Sequence, residues 1–456
     1  MDTLPSRLSS IIVNVKKILA ILLCKLARFA GKLIGRGSSL PGRIALKIDK
    51  DILKKIKLPD KIIAVSGSNG KTSTVEMIAK VLTDDGYSVA YNKEGSNLLD
   101  GVATLVLEHT DLLGRFKKDV LLMESDERYA RYTFRQIVPT YYVITNLYRD
   151  QLTRNGHPEY VAEAIEDSIM KGSILILNED IPLIASFEKK FGNRCYTFGI
   201  KENSYASKEN SFSYDDGKYC PLCKGVMEYD YHIFGHVGSY HCKKCGFERR
   251  KPDFEIDEID LKKGSLTING ECSIDIALKS VFNTYNVLAT YSLCKIMGLE
   301  DEKIAQSLSN YMIRNGRVKT FVANGHEGTL LISKHENSVS YNQNIRYLVD
   351  TGKDVTVFIM VDAISRKYFT SETSWLWDIS FNELGANNVK KIIVTGQYSS
   401  DIMERLSYCN LDMDKIHVDR DIDNAVNYLK DNAIGYTYVI TCFSDEDKFM
   451  RRVEAL

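Results

Sequence analysis

Residues Lys61 to Thr74 read KIIAVSGSNGKTST, and they constrain the rest of the chain more than any other stretch. Ile62, Ile63, Ala64 and Val65 form an apolar run short enough to be a buried strand. Ser66 to Gly70 are small or turn-forming, and Lys71-Thr72 open a helix whose apolar positions Val75, Ile78, Ala79 and Leu82 recur at the helical period. A strand that bends through a glycine-rich turn into a helix aims successive backbone N–H groups, and the positive end of the helix dipole, at one point. That point suits a phosphate. In this pattern Gly67, Ser68, Asn69, Gly70 and Ser73 line a nucleotide cradle, Lys71 reaches the β- and γ-phosphates, and the Thr72 hydroxyl ligates Mg²⁺. The spacing is G-x-x-G-K-T, with Val65 where the longer motif has its first glycine. A tight turn with no ligand is the competing reading.

Further strands are predicted at Tyr87–Tyr91, Asp119–Met123, Tyr141–Thr145 and Ser173–Leu177, mostly separated by helical stretches. Such alternation builds right-handed βαβ units and a parallel sheet, which binds ligands at the carboxyl ends of its strands. Glu124 directly follows DVLLM, which puts a carboxylate beside the phosphate loop to hold Mg²⁺ or its water. Asn146 and Asp150 follow YYVIT and could orient nucleotide, metal or substrate. For each of these a helix cap or a solvated turn is the alternative. Asn283 and Asn286, in the first turn of a helix from Ser280 to Cys294, could read a purine edge or serve as caps.

Residues 201–255 break this pattern. They contain CPLC (Cys220, Cys223) and CKKC (Cys242, Cys245), a spacing that presents four thiolates to one tetrahedral zinc ion in a closed, structural site. Gly238 and Gly246 are expected to let the second knuckle close, and His236 and His241 compete only weakly as ligands. The other six cysteines sit mostly in apolar surroundings, which fits reduced thiols in a cytoplasmic protein. Past this insert, Phe254–Leu278 alternates polar and apolar residues as antiparallel strands do.

From Thr329 onward strands and helices alternate again, giving a second doubly wound sheet of about 125 residues with no phosphate loop. Its loop from Asp362 to Asp378 carries both tryptophans, Trp375 and Trp377, and reads as a site or a partner surface. At the other end of the chain, Ile11–Ile34 is apolar and basic. Its longest uncharged run is far short of the ~18–20 residues of a membrane span. Lys17, Lys25, Arg28 and Lys32 fall on one side of a helix, so the stretch either buries its apolar face on the protein or rests its basic face on an anionic membrane. The whole chain balances 60 basic against 60 acidic residues, so nothing in its charge calls for a nucleic-acid partner.

Taken together, GRGSSLPGRIAL (35–46), GSNGKTST, GSNLLDGVATLV, ITNLYRDQL, the four-cysteine insert, FNTYNVLAT, NGR (315–317) and SWLWD (374–378) resemble the Mur ligases, and within them the MurT branch, in the family's order. The resemblance implies an α/β protein with three parts. Residues 1–50 are an amphipathic helix and connection. Residues 51–315 are a Mur-ligase-like central parallel-sheet ATPase domain with a four-cysteine zinc-ribbon insertion at about 205–252. Residues 316–456 are a C-terminal Rossmann-like α/β domain. It also implies that ATP, with Mg²⁺, phosphorylates the α-carboxylate of D-glutamate in the lipid II stem peptide, and that ammonia from a glutaminase subunit resembling GatD then gives D-isoglutamine. Arg317 joins the ATP-binding residues on this basis. Lys71, Glu124, Asp362 and Asp378 become the catalytic candidates, with Asp362, Glu372 and Asp378 the acids nearest the partner's site. The family pattern K-N-P-A-G is Lys334-His-Glu-Asn-Ser here, its aspartate-rich loop is DAISRKYFTSETSW, and Lys319 replaces a usual acid. A ligase that joins an amino acid instead of ammonia, or a scaffold that binds ATP and zinc without turnover, are the other readings.

Overall fold

The computed structural model describes residues 4–33, 38–92, 96–276, 280–311, 318–364 and 372–455. They form two compact units. The first comprises Met1–Leu147, Pro158–Lys208 and Gly217–Met312, and the second Tyr148–His157, Glu209–Asp216 and Ile313–Leu456.

The apolar run at 62–65 becomes β1 (Lys61–Ser66), in which Ile63, Ala64 and Val65 are fully buried. The first unit continues with β2 (Val89–Tyr91), β3 (Val120–Glu124), β4 (Tyr141–Ile144), β5 (Ile174–Asn178), β6 (Cys195–Ile200), the hairpin β7 (Met227–Phe234) and β8 (Val237–Cys242), then β9 (Phe254–Asp260), β10 (Ser265–Ile268) and β11 (Cys272–Asp275). Nine of them make one sheet in the order β11-β10-β9-β6-β5-β4-β1-β3-β2. β1 lies between β3 and β4, with Val65 beside both Glu124 and Val143. The carboxyl ends of these three strands therefore meet where the connections diverge to opposite sides, the usual place for a ligand in an open parallel sheet. Of the stretch 254–278, the described part, residues 254–276, is only partly antiparallel. β9 pairs with β6 in parallel, and only β10 and β11 turn back. Alternation fixes which face a residue takes, not the direction of its strand.

Four helices frame the amino-terminal part: α1 (Leu4–Leu33), α2 (Leu40–Ile48), α3 (Lys71–Asp84) and α4 (Leu99–Glu108). α2 ends at Ile48. Asp49 accepts from the Asp51 N–H (3.2 Å) and from Lys55 (2.5 Å), so α2 stops and a single tight turn, Ile52–Lys55, follows.

α1 packs in the opposite sense to both expectations. Its buried stripe holds Ala20, Ile21, Cys24 and Gly31, and these mostly small residues let it lie close on α2 and α4. The basic side faces the same way. Arg28 and Lys32 bind Glu108 at 3.0 and 2.5 Å, Lys25 donates to the Glu108 carbonyl (2.9 Å) and Lys17 to that of Leu113 (3.2 Å). The large apolar residues point to solvent, with Leu26 55%, Phe29 67% and Leu33 75% exposed. A carboxylate at the end of α4 and a narrow groove outweigh hydrophobicity in choosing the face.

The second unit has a seven-stranded sheet built from β12 (Val318–Ala323), β13 (His326–Ser333), β14 (Val355–Met360), β15 (Val389–Thr395), β16 (Ile416–Asp419), β17 (Tyr436–Cys442) and β18 (Glu454–Ala455), in the order β16-β15-β14-β17-β13-β12-β18. Five strands are parallel, and β12 and β18 add an antiparallel edge. Helices cover both faces over two apolar clusters, one around Tyr341, Ile359 and Trp375 and the other around Phe321, Phe358 and Phe449. The two tryptophans are not a surface pair. Trp375 is buried with its ring edge-on to Tyr341, and only Trp377 is exposed, against Tyr408.

Candidate active site

The turn after β1 is shaped by its neighbours. Gly67 and Gly70 have φ of 140° and 77°, where side chains are strained. A Cβ on Gly67 would lie 2.3 Å from Thr145 Oγ1, and one on Gly70 2.1 Å from Asn286 Oδ1. Asn146 clamps the loop: its Oδ1 accepts from the Asn69 N–H (2.8 Å), its Nδ2 donates to the Asn69 carbonyl (2.9 Å), and its own carbonyl accepts from the Ser68 N–H (3.0 Å). The side chain thus shapes the cradle. Asn286 does likewise from the helix Val281–Ile296, taking the Thr74 hydroxyl at 3.4 Å. It is not a cap, since that helix begins at Ser280 with no side-chain cap, and Asn283 is buried in its first turn. Gly70→Ala is expected to collide with Asn286 and strain the loop, weakening ATP binding about tenfold or more with little change in thermal stability, measured by calorimetry.

Lys71 opens α3 and is buried, and so is Glu127, to which its ammonium bonds at 2.7 Å. The same ammonium bonds the Gly67 and Ser68 carbonyls. The sequence reading did not single out Glu127. Its signal was the acid-rich ESDER that follows β3, in which Glu124 alone stood at the strand end. Next to Lys71, the Thr72 hydroxyl donates to Glu124 Oε2 at 2.9 Å, and Asn97 Nδ2 contacts the other oxygen of Glu124 at 3.4 Å. Adjacent ligands of an octahedral Mg²⁺ lie about 3 Å apart, so this hydroxyl and carboxylate have the separation and hardness the ion requires. Ser73 sits beside them in the first turn of α3.

The four cysteines come together as a knuckle. Their sulfurs all lie within 4.8 Å of one another, with Cys220 to Cys245 at 3.7 Å and Cys223 to Cys242 at 3.5 Å. Tetrahedral zinc with thiolate bonds near 2.3 Å needs sulfurs about 3.8 Å apart, so the set fits that ion. Each knuckle closes on a left-handed residue, Lys224 (φ 59°) in the first and Gly246 (φ 72°) in the second. Gly238 has a different task. It lies on β8, where a Cβ would strike the Tyr231 carbonyl at 2.1 Å. His236 bonds the Leu147 carbonyl and His241 faces Glu228 and Asp230, so neither belongs to the cluster.

The knuckle docks on the turn after β5. Arg249 pairs with Asp180 at 2.7 Å, and the Arg250 N–H donates to Glu179 at 3.1 Å. Burial pushes the Glu179 carboxyl up to about 7, against the pull of Arg250. A carboxyl whose folded value is raised is stabilising while protonated. Stability should therefore fall as pH rises from about 4.5 to about 7, and Glu179→Gln should flatten that slope in thermal melts across the window.

Two family models match this chain. The Mur ligase middle domain covers residues 65–294 and the MurT ligase C-terminal region residues 335–445. The lipid II isoglutaminyl synthase (glutamine-hydrolyzing) subunit MurT of Staphylococcus aureus is 30% identical over 92% of this chain and 94% of its own length. The chain belongs to the Mur ligase family, in its MurT branch. The MurT subunit of Streptococcus pneumoniae is 27% identical over 95% and 96% of the two chains. Among solved structures, a pseudomurein peptide ligase type C from Methanothermus fervidus shares the fold with a TM-score of 0.67 at 22% identity, over 88% of this chain and 79% of that one. MurF from Acinetobacter baumannii does so at 0.63 and 16%, over 90% and 80%. As a Mur ligase the chain is an ATP-dependent ligase, and the family works with ATP and Mg²⁺.

Asp362, Glu372 and Asp378 lie in the second unit, inside the MurT C-terminal match. Asp378 takes Arg149 Nη1 at 2.8 Å, while the same guanidinium grips Asp216 at 2.7 Å and stacks on Tyr214. Burial raises the Asp378 carboxyl in spite of Arg149. Asp362 belongs to another cluster, with Lys448 at 2.5 Å and the Gln397 N–H at 2.8 Å. Burial would raise its carboxyl too, but Lys448 and that N–H more than reverse the effect. Glu372 accepts from the Ser374 N–H. Asp150 also falls in this unit, held by Asn337 (2.6 Å) and Lys334 (3.4 Å). Arg317 lies outside the described residues.

Proposed function

We propose that this chain is the ATP-using subunit of a lipid II isoglutaminyl synthase. It would transfer the γ-phosphoryl group of ATP to the α-carboxylate of D-glutamate in the lipid II stem peptide, with ADP leaving. Ammonia would attack the acyl phosphate, lose a proton and expel phosphate to leave D-isoglutamine. The observation that carries this reading is the full-length likeness to MurT subunits together with a phosphate cradle whose lysine, hydroxyl and carboxylate stand side by side.

In this reading the N–H groups at Gly70–Thr72, where α3 begins, and the Lys71 ammonium hold the β- and γ-phosphates, while Asn146, which takes the Ser68 and Asn69 N–H groups, and Asn286 keep the loop in shape. Thr72 and Glu124 would hold Mg²⁺, which neutralises charge developing on the transferred group. Glu127 positions the Lys71 ammonium and yields it as phosphate arrives. Cys220, Cys223, Cys242 and Cys245 hold a structural zinc. Asp362 and Asp378 are the acids proposed to face the glutaminase. That partner, resembling GatD, would supply ammonia, and a lipid-linked acceptor places the enzyme at the inner face of the cell membrane.

Mass spectrometry of lipid II incubated with ATP, Mg²⁺ and either ammonium or glutamine plus the partner tests the proposal. The expected product carries one amide in place of one carboxylate and appears with one equivalent of ADP. Transfer of an amino acid would favour the other ligase reading, and no ADP under any of these conditions would favour the scaffold.

A further inference from the structure

α1 presents an apolar ridge to solvent that nothing in the proposed chemistry uses. At 100° per residue Val15, Leu19, Leu22, Leu26, Phe29 and Leu33 fall within one narrow arc, opposite the stripe buried on α2 and α4. Each is between 41% and 75% exposed. The ridge extends about 27 Å along the helix. The loop that takes the Lys17 ammonium adds Leu112 (45%) and Leu113 (65%) to the exposed apolar surface. Exposed large hydrophobics elsewhere in the described chain are scattered, whereas six aligned on one helix face mark a place where something docks.

Charge says what docks. Between residues 3 and 48 the sequence has nine basic residues and no acidic one. Lys16 is exposed beside the ridge, while the Lys32 ammonium is held by Glu108 on the protein side. A helix with large aliphatic and aromatic side chains on one face, in a segment whose charge is all positive and with Lys16 exposed beside the ridge, has the composition of one that lies in the plane of an anionic bilayer. Its apolar face lies among the acyl chains and the positive field of the segment is toward the headgroups. It does not cross, since no described helix is long and apolar enough to do so.

We propose that α1 docks the enzyme on an anionic lipid leaflet, apolar ridge inward. This differs from a helix resting on its basic face, because Lys17, Lys25, Arg28 and Lys32 are turned toward the protein and hold the helix in place. The inference deepens the proposed function, which requires a lipid-linked acceptor, and it gives the active unit a fixed attachment to the surface that carries that acceptor.

The test is sedimentation of the full-length chain with vesicles of phosphatidylglycerol and phosphatidylcholine, against vesicles of phosphatidylcholine alone. A triple variant, L22Q/L26Q/F29Q, alters only outward-facing side chains and should keep the wild-type melting temperature. Wild type is expected to partition onto the anionic vesicles, more weakly onto neutral ones, and the variant to lose about tenfold or more of that binding. Amidation of a short-chain, water-soluble precursor with ammonium should be the same for both proteins, while amidation of vesicle-borne lipid II should fall in the variant. If wild type stays in the supernatant, the inference is overturned. It is equally overturned if the ridge proves to join two copies, seen as a dimer that the triple variant dissociates. Failure of the amidation reading would look different, with no product from the soluble precursor and vesicle binding intact.

Discussion

Replacing Lys71 by alanine is expected to reduce ATP-dependent product formation at least about a hundredfold, the scale on which removing a charge-stabilising donor acts at a transferring group. The ammonium is buried, points into the loop and is already shared between Glu127 and the Gly67 and Ser68 carbonyls, so phosphate oxygens would meet it where it stands. The substitution also strands the Glu127 carboxylate, only 2% exposed, without its cation. Breaking one side of a buried pair typically costs about 3–5 kcal/mol, so Lys71→Ala should also melt lower. The double change Lys71→Met and Glu127→Gln removes both charges and should recover most of that stability while remaining inactive. Phosphate release and thermal melts, run on wild type, single and double variants, separate the two effects. Activity within tenfold of wild type in the double variant would remove Lys71 from the chemistry.

Much of this architecture was legible because its signals are local. The loop KIIAVSGSNGKTST carries strand, turn and helix in fourteen residues, and the four cysteines sit in two short knuckles, so each feature needs only its own neighbours. β12 also had a local signal that went unread. Asn324 and Gly325, both at positive φ, form the two-residue turn that folds β12 back on β13. What was not legible depends on partners distant in sequence. Asn146 looked like a nucleotide ligand because it ends a strand, but its amide is spent on Asn69, 77 residues away. Glu127 became visible only when the fold brought it to Lys71. α1 shows the limit most clearly, because its periodicity gave two faces correctly and the direction each would point incorrectly. Glu108, on another helix, decided that.

Removing zinc is expected to unfold the knuckle and, through it, to weaken ATP binding. Apart from its docking contacts with the sheet, the knuckle end of the module around residues 217–250 has little of its own to hold it. β7 and β8 make a two-stranded hairpin, and its apolar core is a few side chains, chiefly Met227, Tyr240 and Phe247 against Ala185. Such a hairpin is marginal alone, whereas a structural zinc contributes on the order of 10 kcal/mol of binding that exists only in the folded state. Chelation, or Cys220→Ser with Cys242→Ser, should therefore abolish bound zinc, lower the melting temperature and open residues 217–250 to protease. The consequence should extend further, because Arg249 at the knuckle's exit pairs with Asp180, whose other oxygen takes the Tyr285 hydroxyl at 2.6 Å. Tyr285 stands on the same helix as Asn286, the residue against Gly70. Loss of Arg249 would free that helix and loosen the phosphate loop, so KM for ATP should rise several-fold while bound Mg·ATP still turns over. Metal analysis gives the stoichiometry, expected at one zinc per chain, and proteolysis with and without chelator gives the coupling. A chain without zinc that kept both its protease resistance and its KM would show that the four thiols have some other role.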